Sequence, residues 1–189
     1  MSKIHFRQLA DLLFEVKAGF RREKVCFDDA ITMVIKLIRK AKQKRNKIII
    51  VGNGGSAAIA SHIATDLLKN LNIPSLVFND PSMLTCIAND LGYENVFAKP
   101  IEVMGTKGDI LLAISSSGKS ANIINAVKMA KNKRMFVITL SGFLPTNPLR
   151  KIGDINFYVP SFSYGNVEIV HKAICHRIID LLYENTTSR

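Results

Sequence analysis

Lys47-Ile48-Ile49-Ile50-Val51-Gly52-Asn53-Gly54-Gly55-Ser56-Ala57-Ala58 is the stretch that decides the fold. Ile48 to Val51 is short, solidly apolar and β-branched, and it ends at Gly52. A strand buried on both faces has this composition, because neither side meets water. Crossing a bilayer takes about 20 apolar residues, so the run is no membrane span. Gly52 to Ser56 then leads into a helical pattern over residues 57–70, and strand, small-residue turn and helix in that order are the start of a βαβ unit.

Outward toward the C-terminus the unit recurs. Strand-like runs lie at 75–78, 109–114, 135–140 and 155–159. Helical patterns separate them at 83–92, with a further turn near 97–104, and at 121–131. A long amphipathic helix over 166–184 closes the chain. Strands alternating with helices of this length predict an α/β three-layer sandwich, doubly wound and flavodoxin-like, around a five-stranded parallel sheet. Toward the N-terminus, Ile4, Leu9, Leu12, Leu13, Val16 and Phe20 recur at helical spacing and predict a helix over 3–22. Asp28 or Asp29 starts a second helix to about Lys44, with Ile31, Val34, Ile35 and Ile38 as its apolar stripe. Two N-terminal helices within residues 1–46 are therefore expected to pack on the domain. No repeat, low-complexity segment or linker interrupts the chain, and Phe143 to Pro148 reads as a loop. A single domain over 1–189 is expected.

With 189 residues, 48% hydrophobic and 22% charged, the chain can bury a full core and is not of a disordered class. Cys26, Cys86 and Cys175 are odd in number and far apart, as expected of thiols in a reducing compartment. Lys3, Arg7, Asp11, Glu15 and Lys17 break up the first apolar stretch, so no signal peptide is read and a soluble, cytoplasmic protein is expected. The net charge is +11, and 13 of the 26 basic residues fall within the first 50 positions, the densest run being Arg39 to Lys47. Such a run serves nucleic-acid contacts or a solvated helix face that attracts anions. No aromatic residue is interleaved as a stacking platform, which favours the solvated face and argues against a nucleic-acid partner.

Ligands of open parallel sheets bind outside the carboxyl ends of the strands. Two unusual loops are predicted there: Gly52-Asn53-Gly54-Gly55-Ser56, and Ser115-Ser116-Ser117-Gly118-Lys119-Ser120. Both run into helix starts, whose unpaired N–H groups and partial positive charge favour an anion, and the serines add donors. A phosphate site is expected; tight turns and caps are the plainer explanation. GxxxxGK[ST] is absent. Gly52 to Ala57 reads G-x-G-x-x-A, yet the second strand is closed by no acid except Asp80, so no nucleotide cofactor is expected.

His62 and Asp66, four apart, share a helix face. Glu168 and His176, eight apart, are offset by about 80° and can line one cleft, with His171 near the same face. Two imidazoles and two carboxylates suit general acid–base chemistry near neutral pH. They equally suit Zn²⁺. The plain alternatives are a hydrogen-bonded structural histidine, a solvated Asp66 and a Glu168 that stabilises its helix's first turn.

Val51 to Ala58 with Ser61-His62, then Ala88-Asn89-Asp90, then Asp109 to Ser120, resemble the sugar isomerase (SIS) domain family. Within it they resemble the phosphoheptose isomerases, also called sedoheptulose 7-phosphate isomerases. The likeness runs over nearly the whole chain. It implies a homotetramer with sites at subunit boundaries, and conversion of sedoheptulose 7-phosphate to D-glycero-D-manno-heptose 7-phosphate through an enediol, on the way to lipopolysaccharide or capsule heptose. By position, Asn53, Gly54, Gly55, Ser56, Asp66, Asn89, Asp90 and Glu168 would contact substrate. Ser115, Ser116, Ser117 and Ser120 would hold its phosphate. His62, Asp66, Glu168 and His176 match the zinc positions, and Asp66 and His176 the acid–base pair. The chain departs from the family pattern, which usually has Glu at Asp66, Gln at Glu168 and Arg near Asn70. The rival expectation is a non-catalytic SIS module that binds phosphosugars or a partner protein such as a replication initiator.

Overall fold

The computed structural model describes residues 2–187; Met1, Ser188 and Arg189 of the expected 1–189 domain lie outside the described residues. The chain runs α1 (Ser2–Phe14), β1 (Lys17–Phe20), β2 (Glu23–Val25), α2 (Phe27–Gln43), β3 (Ile48–Gly52), α3 (Gly55–Leu71), β4 (Ser75–Val77) and α4 (Pro81–Leu91). A 3-10 turn (Tyr93–Asn95) follows. Then come α5 (Ala98–Met104), β5 (Ile110–Ser115), α6 (Ala121–Asn132), β6 (Phe136–Ser141), α7 (Pro148–Ile152), β7 (Ile155–Tyr158) and α8 (Tyr164–Thr187). The sheet order is β2-β1-β7-β6-β5-β3-β4.

The five expected parallel strands are present as β7-β6-β5-β3-β4. The sheet itself has seven strands, because residues 17–25 form an antiparallel hairpin whose β1 pairs with β7. This corrects the helix expected over 3–22, which ends at Phe14. The periodicity misled: Phe20 follows Val16 at helical spacing, but Gly19 lies between and disfavours a helix interior. A Cβ at Gly19 would stand 2.7 Å from the Asn156 side-chain nitrogen, so the glycine lets β1 close against β7. Pairing there also covers what would be an open sheet edge.

Alternation along the strands splits the core in two. Ile48, Ile50, Ile110, Leu112 and Ile138 face α2, α3 and α8, while Ile49, Val51, Leu111, Ala113 and Val137 face α5, α6 and α7. Full burial of each such Ile, Leu or Val side chain contributes about 2 kcal/mol, which is why the apolar runs of β3, β5 and β6 outweigh local preference. At the amino ends of β3 and β5, Asp109 accepts from the Lys47 ammonium at 2.6 Å, the Lys47 backbone N–H and the Thr106 N–H and hydroxyl. The carboxyl ends carry the two loops singled out above.

Candidate active site

β3 ends at Gly52, where a Cβ would meet the Ser56 backbone at 2.7 Å; only a glycine lets the chain turn this tightly into α3. Gly54, at φ +53°, takes the left-handed step before the helix, and its carbonyl accepts from the N–H groups of Ala57 and Ala58. Asn53 projects sideways and forms a reciprocal amide pair with Asn122, at 2.8 and 3.0 Å. The Tyr93 hydroxyl donates to the same Asn53 oxygen at 3.3 Å. Asn122 lies in the first turn of α6, just beyond Ser120, so this pair ties the first loop to the second.

The serine loop leaves β5 at Ser115. The Ser115 hydroxyl accepts from the Gly118 N–H and lies 3.4 Å from the Ser120 hydroxyl, while the Ser117 hydroxyl accepts from the Lys119 N–H. Ser120 occupies the N-cap of α6 without a side-chain cap bond. Ser116 is 5% exposed and its hydroxyl has no partner. Gly118 has φ +63°, and a Cβ there would collide with Asn147. Asn147 is buried and donates to Ser141 Oγ and the Gly142 and Leu144 carbonyls, so it braces the loop from behind. Hydroxyls and N–H groups at the start of a helix are the equipment of a phosphate cradle.

His62 and Asp66 lie on the α3 face with Nε2 3.3 Å from Oδ2. His176, from α8, brings its ring to 5.1 Å from that of His62, at 86°. One ligand atom from each of the three lies within 4.8 Å of the others, an arrangement that can hold a metal ion. His62 and Asp66, one turn apart on α3, thus meet His176 of α8, more than a hundred residues further along the chain. Glu168 stands outside that group; its carboxylate packs where a Cβ of Gly55 would be. Asn89 and Asp90 sit exposed on α4, bonded to each other at 2.8 Å, and among the described residues no hydrogen bond joins them to the two loops.

His171 corrects the expectation that it shares the face of Glu168. It points into the interior, fully buried, with Nε2 donating to the Ser141 carbonyl at 3.2 Å and Nδ1 without a partner. Burial lowers its pKa to about 4, against the smaller opposing effect of that carbonyl. A cleft of about 270 Å³ opens beside Asn53, Gly54, Asn79, Tyr93 and Phe97. Asn122, Asn147 and Tyr93 escaped the sequence reading. Asn122 had a signal, its place two residues after Ser120 at a helix start; Tyr93 and Asn147 had none beyond their loops.

The SIS domain profile matches residues 15–142. A phosphoheptose isomerase of Cytophaga hutchinsonii is 39% identical over 163 residues, covering 83% of this chain and 85% of that protein. One of Vibrio cholerae is 37% identical over 158 residues, covering 80% and 82%. Among solved structures, the phosphoheptose isomerase of Neisseria gonorrhoeae aligns with a TM-score of 0.85 at 29% identity over 96% of both chains.

Proposed function

The chain belongs to the SIS domain family, and we propose from this membership and the geometry above that it is a phosphoheptose isomerase acting on sedoheptulose 7-phosphate. The observation that carries the reading is the meeting of His62, Asp66 and His176, with α3 springing from the glycine loop and Glu168 of α8 lying against Gly55. A module that only binds phosphosugars needs the cradle but not this trio. The enzyme reading is favoured for that reason.

Aldose–ketose isomerisation moves a proton between adjacent carbons through an enediol, so it needs a base at carbon and an acid at oxygen. Asp66 and His176 are assigned as this pair, either one taking the first proton. A positioned group of this kind supplies about 10²–10⁴-fold. Ser115, Ser116, Ser117 and Ser120 grip the phosphate, and Asn53 to Ser56 the sugar, so that remote binding energy orients the reacting carbons. Asn89 and Asp90 are assigned to the sugar as well. The donor set of two imidazole nitrogens and a carboxylate within 4.8 Å suits Zn²⁺; Glu168, whose carboxylate lies outside that group against Gly55, is assigned as the fourth donor. When bound, zinc would act as a Lewis acid polarising the substrate oxygens. We assign the active form as a homotetramer, supported by the apolar surface of α1, where Phe14 is 90% exposed and Ile4 and Phe6 are exposed beside it. The reaction is assigned to the cytoplasm, in keeping with three free cysteines, and to heptose supply for lipopolysaccharide or capsule.

The test is turnover of sedoheptulose 7-phosphate, followed by NMR with and without chelator. Asp66→Asn and His176→Ala each lower kcat by at least about 10²-fold while calorimetric binding of the sugar phosphate persists. Normal turnover by both variants would refute the assignment. Saturable binding without turnover in the unmodified protein would mark a binding module instead.

A further inference from the structure

The amino-end face of the sheet, opposite the serine cradle, carries a second feature that isomerisation does not use. Among the described residues, six non-glycine positions have positive φ, and four are arginines: Arg21 at 46°, Arg22 at 77°, Arg45 at 55° and Arg134 at 58°. All four lie in turns at this end. Arg45 precedes β3, Arg134 precedes β6, and the Arg21 N–H donates to the carbonyl of Asp154, just before β7. A left-handed backbone favours glycine or asparagine and costs a larger side chain about 1 kcal/mol or more. Arg21 and Arg22 form the whole two-residue turn between β1 and β2, where Asn-Gly is the preferred pair. Arg45 and Arg134 take this conformation where α2 and α6 end, the Asn46 and Met135 N–H groups donating back to Ala41 and Ala130; at the hairpin no helix end accounts for it, and strain kept by two adjacent arginines there points to a use for the cations.

The hairpin turn forms one wall of a cleft of about 470 Å³, completed by α6 and α7. Arg21, Arg22, Lys128, Lys131 and Lys151 line it. Asp154 is the only acid in the lining, and one of its carboxylate oxygens already accepts from the Val137 N–H. None of the five cations forms an ion pair among the described residues. The volume suits a small molecule. No aromatic side chain lines the cleft, so it offers nothing on which bases of a nucleic-acid strand would stack.

We infer that this cleft is a second anion site, separate from the isomerase site, which takes a small polyphosphate carrying two or more adjacent phosphates. Arginine forks and lysine ammonium groups converging from three elements match such a ligand better than a monophosphate. Free pyrophosphate and the diphosphate of a nucleotide share this chemistry.

The test is calorimetric titration of the full chain with inorganic pyrophosphate, and separately with ADP, at low and moderate salt. Saturable binding of pyrophosphate is expected, weakened by salt. Equal affinity for ADP would identify free phosphate chemistry as sufficient, and tighter ADP binding would identify the nucleotide ester; both support the site. Arg21→Asn with Arg22→Gly installs the preferred turn, so it raises Tm while weakening pyrophosphate binding at least tenfold and leaving isomerase turnover unchanged. Lys128→Ala with Lys131→Ala gives the same loss without touching the hairpin. Undiminished binding in both variants, or no saturation by about 1 mM ligand, would overturn the inference. So would single-stranded RNA that binds in proportion to its length and far more tightly than pyrophosphate.

Discussion

Ser116 has a buried hydroxyl that bonds to nothing in the fold, which separates its role in binding from any role in stability. Ser116→Ala should leave urea stability within about 1 kcal/mol of the parent, because no bond is lost. Its KM for sedoheptulose 7-phosphate should rise about tenfold, since hydrogen bonds to charged groups are worth about 1.5–3 kcal/mol. His171 gives a pH signature. Unfolded, its imidazole takes a proton below about pH 6.5; folded, it resists until about pH 4. Stability is therefore flat above that window and declines through it as pH falls, by about 3 kcal/mol in total. Urea melts at neutral pH and near the lower end should show the decline, and His171→Gln should flatten it. Asp109 acts lower. Burial pushes its carboxyl up, but the bonds from Lys47 and Thr106 outweigh burial and hold it below its usual 3.8. Its contribution is thus present above that value and lost as pH falls through the lowered one. At this scale the sequence showed which side chains were chemically able, but not where each pointed: helical spacing alone set His171 beside Glu168, whereas packing turned it toward Ser141.

Elements were most legible where burial was complete. The runs that became β3, β5, β6 and β7 have no polar alternative, and their observed bounds fall within a residue or two of the apolar stretches. The hairpin was illegible because its pattern also fits a helix, and because its partner β7 lies far away in sequence. Gly19 should be the position that decides between them. Gly19→Val brings side-chain atoms into the Asn156 amide and the Glu23 carbonyl, so it should cost about 1–3 kcal/mol by thermal melt, with kcat retained. Gly55→Ala should behave oppositely. Alanine suits the first turn of α3, but its Cβ takes the place of the Glu168 carboxylate, so turnover should fall while the fold holds.

For the whole molecule, the proposed tetramer makes a prediction about the apolar residues that α1 leaves uncovered. On the proposed assembly, light scattering should find a tetramer for the parent and smaller species for Phe6→Lys with Phe14→Lys, since these variants replace large exposed apolar side chains rather than core ones. The architecture was legible as a parallel α/β sandwich because alternating strands and helices leave few other solutions. Its seventh strand and the orientation of α8 depend on packing across the entire chain, which no local pattern encodes. The same long-range dependence governs synthesis. Gly19 and Asn156 lie 137 positions apart in sequence, so the first strand made must wait for the last one before its seam can close. On a ribosome the hairpin emerges early and stays without its template for most of translation, which makes completion of this edge a late, non-local folding event.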